Sequence, residues 1–214
     1  MTETDRAARE PLGFLALGDS YTIGEGVEAA GRWPMQLAQR LRDDGVDIAD
    51  PEIIATTGWT TDELSAAMDA AQFSPPYALV TLLIGVNNQY RGRDIGNYRD
   101  EFAALRARAI DLAGGRSERV VVVSIPDWGV TRFALEQGRD AARVAGEIDA
   151  FNAAARRIAA DRDVAFVDVT AASRAAGDAD SMLVADGLHP SAAQYARWTE
   201  LIFAAARRAL TTPA

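Results

Sequence analysis

The sequence predicts an α/β fold: a parallel sheet with helices packed on both of its faces. Two observations carry this. Five short stretches, apolar, β-branched or bounded by turn residues, alternate with longer segments of helical periodicity, as in a sheet covered on both sides. Two of them, ALVTLLI (78–84) and VVVVSI (120–125), are almost unbroken in apolar residues, which suits central strands buried from both faces.

Taken in chain order, the strands are expected at Gly13–Leu17, Ile53–Thr56, Ala78–Ile84, Val120–Ile125 and Val164–Val169. A helix is expected over Trp33–Arg42, because Pro34 suits a first helical turn and Leu37 and Leu41 lie one turn apart. After Gly58, the run Thr60-Thr61-Asp62-Glu63 reads as a capping box, with Thr60 as cap and Glu63 reaching back to it. Asn97–Ala113 sets Phe102, Leu105 and Leu112 on one stripe, and Asp140–Ala160 does the same with Val144, Ile148, Phe151 and Ile158. The last helix opens on a second box, Ser191 with Gln194, and continues with Tyr195, Trp198, Ile202 and Ala206 at helical spacing. These stripes read as core faces, not cofactor sites. No repeat, low-complexity tract or linker divides the chain, so residues 1–214 are expected to form one domain, with 1–11 a flexible polar tail.

Composition narrows the chemistry. With 49% hydrophobic and 25% charged residues the chain can fill a core. A net charge of -9 disfavours nucleic acid and anionic membrane surfaces, which bind clustered basic groups. Met1–Pro11 lacks the basic and apolar regions of a signal peptide, and no run is long enough to span a bilayer. A cytoplasmic protein without membrane insertion is expected, its oligomeric state open. There is no Cys, and all 22 basic residues are Arg. Thiolate nucleophiles, cysteine-ligated metals, Schiff bases and Walker-type loops are thereby excluded. The single His, His189, excludes paired-histidine metal motifs. Hydroxyl and carboxylate chemistry remains, with one imidazole to serve it.

Ligands of open parallel sheets bind beyond the carboxyl ends of the strands. There the sequence places GDSYTIGEG, TGWT, GVNNQYRGR, PDWG and DGLHP, each rich in Gly or small polar residues. Ser20 follows Gly18 and Asp19 at the first strand end, where a tight turn would expose its hydroxyl; alone it would read as a turn or helix cap. Asp186 lies three residues before His189 and can orient the imidazole as a triad requires, or be an ordinary loop carboxylate. If the reaction is acyl transfer, the amides of Ser20 and Gly58 and the side chain of Asn87 supply donors for an oxyanion; singly, Gly58 is a turn glycine and Asn87 an Asx turn.

These residues resemble the blocks of the SGNH, or GDSL-type, hydrolase family. LALGDSYTIGEGV carries the nucleophile onto Ser20, ATTGWTTDEL corresponds at Gly58, IGVNN at Gly85 and Asn87, and DGLHP matches the Asp-x-x-His block at Asp186 and His189. The resemblance implies a three-layer α/β/α sandwich, flavodoxin-like, around a five-stranded parallel sheet. It also implies ester hydrolysis through an acyl-enzyme on Ser20, with no metal or organic cofactor. Tyr21 stands where the family name implies Leu, and Asn88 where the third block often has Asp, which bears on pocket shape and loop hydrogen bonding. Asp19, Trp59, Tyr90, Arg91, Asp127 and Trp128 are the candidates to line a substrate pocket. Arg91 and Arg93 could attract a substrate carboxylate or phosphate. Acetylated sugars, short-chain esters, thioesters and lysophospholipids all fall within the family, a neutral or sugar ester being favoured here. A non-catalytic ligand-binding module on the same fold is the alternative. A flavin or nucleotide binder is disfavoured, because no G-x-G-x-x-G turn follows the first strand.

Overall fold

A computed structural model describes residues 10–211. The expected tail lies mostly outside this range; Glu10 and Pro11 are described, and both are exposed. The sheet contains β1 (Phe14–Gly18), β2 (Glu52–Ala55), β3 (Leu79–Leu83), β4 (Val120–Val123) and β5 (Ala165–Val167). All neighbours pair in parallel, in the order β2-β1-β3-β4-β5. Every residue of β1, β3 and β4 is buried, as their unbroken apolar sequences require. The edge strand β5 is shorter than its apolar run, since Thr170 N–H turns onto Asp168 Oδ1 and opens a short helix, α8 (Thr170–Ala176).

The other helices are α1 (Ser20–Ile23), α2 (Trp33–Asp43), α3 (Thr61–Ala70), α4 (Val86–Tyr90), α5 (Ile95–Leu112), α6 (Arg132–Glu136), α7 (Ala141–Ala160) and α9 (Ala192–Thr211). Helices α2 and α9 pack together as one outer layer, and α5 packs against α3 and α7 in the other. The chain is an α/β/α sandwich, as its sequence predicts. Leu37 and Leu41 of α2, and Tyr195, Trp198, Ile202 and Ala206 of α9, are all buried. The capping box of α3 forms: the Thr60 side chain accepts from the Glu63 backbone, and Glu63 Oε2 accepts from Thr60 N–H at 2.8 Å. The second box forms by half. Gln194 N–H donates to Ser191 Oγ at 3.4 Å, but Gln194 Oε1 has no partner.

The chain passes from β1 outward to β2, then crosses back to β3 on the other side of β1. A reversal of this kind opens a crevice at the carboxyl ends of β1 and β3.

Candidate active site

Ser20 is the first residue of α1, directly beyond β1. Asp19 caps this single turn, its Oδ1 accepting from Tyr21 N–H at 3.0 Å. The Ser20 N–H precedes the bonded part of the helix and has no hydrogen-bond partner among the described residues. Beyond β2, Gly58 turns the chain with φ +88, a conformation that favours glycine, and its N–H is likewise unpaired. Asn87 sits on the first turn of α4, beyond β3. One proton of its amide donates to Trp59 O at 2.8 Å, which fixes the group and leaves the second proton unengaged.

His189 arrives from the far end of the chain on a braced loop. Val184 N–H donates to His189 O, Gly187 N–H to Val184 O and Phe133 N–H to Gly187 O. The His189 ring Nδ1 lies 2.6 Å from Asp186 Oδ2, and Asp186 Oδ1 accepts from the Leu188 and His189 amides at 2.8 and 3.0 Å. Partial burial works against the ionised Asp186; hydrogen bonds from the His189 ring and from the two amides outweigh it, and the carboxyl lies below its ordinary value. The ring of Tyr21 packs beside the imidazole, with centroids 5.6 Å apart.

Ser20, Gly58, Asn87 and His189 line one cleft of about 210 Å³. Its remaining walls are largely apolar: Val86, Tyr90, Trp128, Phe133 and Leu188, with Tyr21 and Thr57. Of the residues expected in the pocket, Tyr90 and Trp128 line it and four do not. Asp19 is fully buried behind α1, where burial raises its carboxyl to about 7 against three backbone hydrogen bonds, and its Oδ2 has no partner. Trp59 packs against the core and offers the site only its carbonyl. Arg91 Nη2 donates to Gly58 O at 2.6 Å, pinning the turn from outside. Asp127 accepts from Gly129 N–H and pairs with Arg174, both at 2.8 Å. Arg93 is likewise engaged, with Asp62.

Five further residues line the cleft: Tyr21, Thr57, Val86, Phe133 and Leu188. Tyr21, a departure from the family pattern, stands one position after Ser20, a natural place for a wall. Val86 and Tyr90 are four apart, hence on one face of α4. Thr57 neighbours Gly58. Phe133 and Leu188 carry no pattern of their own. Asn88, the other departure, is wholly buried, its Oδ1 accepting from Thr61 N–H at 3.1 Å and its Nδ2 donating to Thr61 Oγ1 at 2.6 Å. It ties α4 to the start of α3 and lies outside the cleft.

Among the described residues no three His, Asp or Glu side chains stand close enough to hold a metal ion, and no helix is long and apolar enough to cross a membrane. Residues 16–197 match the GDSL-like Lipase/Acylhydrolase family. The chain is 25% identical over 202 residues to Esterase TesA of Pseudomonas aeruginosa, covering 94% of this chain and 89% of that one. A crystal structure of TesA superposes with a TM-score of 0.73 at 23% identity, over 92% of this chain and 99% of its own. The lipase/acylhydrolase from Enterococcus faecalis superposes with a TM-score of 0.69 at 19% identity, over 90% and 94%.

Proposed function

Since the chain belongs to the GDSL-like lipase/acylhydrolase family, hydrolysis of esters is its reaction class, and we propose that it proceeds through an acyl-enzyme on Ser20. The observation that carries this reading is one cleft lined by Ser20, Gly58, Asn87 and His189, in which the Ser20 and Gly58 N–H groups and one Asn87 amide proton are unengaged and Asp186 holds the imidazole. A tetrahedral intermediate needs donors already aimed at its oxyanion, because reorganising them during the reaction would cost the stabilisation they give.

In this mechanism His189, held through Nδ1 by Asp186, takes the Ser20 hydroxyl proton as Ser20 Oγ bonds to the ester carbonyl carbon. The oxyanion is met by the Ser20 and Gly58 N–H groups and by Asn87. Collapse breaks the bond to the alcohol oxygen, which receives the proton from His189. Water then repeats the sequence: His189 accepts its proton, its oxygen bonds to the acyl carbon, and the acid departs as Ser20 regains its proton. Among the described residues the Ser20 hydroxyl makes no hydrogen bond; such contacts tighten when substrate fills a site. The small, mainly apolar cleft favours short esters without charge beside the carbonyl.

A non-catalytic binding module is not favoured, given the family. The test is labelling with a fluorophosphonate together with hydrolysis of p-nitrophenyl acetate. Wild-type protein should label and turn over, whereas Ser20→Ala should do neither; hydrolysis surviving in His189→Ala at near wild-type rate would refute the mechanism.

A further inference from the structure

Tyr90 and Trp128 line the cleft holding Ser20, and the same two side chains wall a second, broader groove of about 710 Å³ between α4 and α7. Their rings meet edge to face with centroids 5.2 Å apart. The two are held differently. Trp128 is buried, and its Nε1 donates to Gln89 Oε1 at 2.8 Å, while Gln89 in turn donates to Glu147. Tyr90 is the last residue of α4 and is 42% exposed. Its hydroxyl accepts from Arg139 Nη2 at 3.4 Å, and the same guanidinium lies 5.2 Å from its ring centroid and 5.9 Å from that of Trp128. A cation resting on two aromatic faces holds them together. The wall therefore has one buried half and one exposed half that an arginine contacts.

Resting on the acyl-enzyme reading, we propose that Tyr90, clamped by Arg139 against Trp128, limits the length of the acyl chain and confines the enzyme to short-chain esters. His189 must reach the leaving oxygen, so the alcohol lies on the side of His189 and Leu188. The acyl group then runs the other way, along the face of α4 that carries Val86 and Tyr90. Beyond Tyr90 the groove carries Ile95 and the small exposed parts of Val144 and Phe151, among charged side chains that include Arg93, Asp94, Arg143 and Glu147. The wall stands between that groove and the nucleophile.

The test is the kcat/KM ratio of decanoyl to butyryl p-nitrophenyl ester, taken within each variant so that general losses cancel. Wild type should prefer butyryl. Each methylene that gains an apolar surface contributes roughly fourfold, so Tyr90→Ala should raise the ratio at least about tenfold. Arg139→Ala, which frees the ring without removing it, should raise it less, and Tyr90→Phe should leave it nearly unchanged because the ring stays. A Tyr90→Ala ratio equal to that of wild type, or a wild type already preferring decanoyl, overturns the proposal. A wild type that cleaves butyryl ester while Ser20→Ala does not keeps the acyl-enzyme reading intact whichever way the ratios fall. Failure of wild type on every ester overturns both.

Discussion

Asn87 is oriented before any substrate arrives, because Trp59 O takes one of its two amide protons and fixes the direction of the other. Donors fixed in this way stabilise a developing charge without reorganising, and removing one costs on the order of 10²–10³ in turnover. Asn87→Ala is therefore expected to lower kcat by about that factor, with KM little changed, in steady-state hydrolysis of a short ester. In the proposed mechanism Asp186 acts through the imidazole. Its three hydrogen bonds to the His189 segment place both the ring and the backbone that carries it. Asp186→Asn should therefore lower kcat by roughly 10⁴, the cost of holding the imidazole in the wrong tautomer, while near-ultraviolet circular dichroism stays that of wild type. A loss below tenfold would show that Asp186 is an ordinary loop carboxylate.

The short elements carry the site, and they were the hardest to foresee. Strands β1, β3 and β4 were legible because burial on both faces demands unbroken apolar runs, and α2, α5, α7 and α9 because several turns repeat an apolar stripe. Helices α1, α4 and α6 span four or five residues each, too few for a 3.6-residue period to register. The same limit explains the pocket. Position after a strand identifies the rim a residue belongs to, which placed Ser20, Gly58, Asn87 and His189 together, but not the direction of its side chain. Asp19 and Asp127 turn inward there, and Arg91 turns around the back of Gly58. Helix α4 depends instead on Asn88, whose carbonyl is the acceptor for the buried Thr61 N–H. Asn88→Ala strands that donor and should reduce unfolding free energy by about 1–3 kcal/mol in urea titrations. Asn88→Asp keeps the acceptor but buries a carboxyl, so its loss should grow as pH rises.

At the scale of the whole molecule, the reversal of strand order between β1 and β3 gathers residues from both ends of the chain at one crevice, and it places a carboxyl beneath them. Asp19 is fully buried just behind Ser20, and desolvation raises it from 3.8 to about 7 in the folded protein. Between these values the folded state holds a proton that the unfolded chain releases, so stability falls as pH rises through the window and the penalty is complete above about 7. Asp186 acts in the opposite sense and at lower pH: its folded value is depressed, so its contribution is present above 3.8 and lost only as pH drops below. The two effects separate along the pH axis. Urea unfolding at pH 5 and pH 8 should therefore find the wild type less stable at the higher pH by about 3 kcal/mol from this one group. Asp19→Asn cannot ionise and should lose that difference, its two curves lying close together. Equal slopes in wild type and variant would mean that Asp19 keeps its charge in the folded protein, and that the turn carrying Ser20 is built over an anion rather than over a neutral acid.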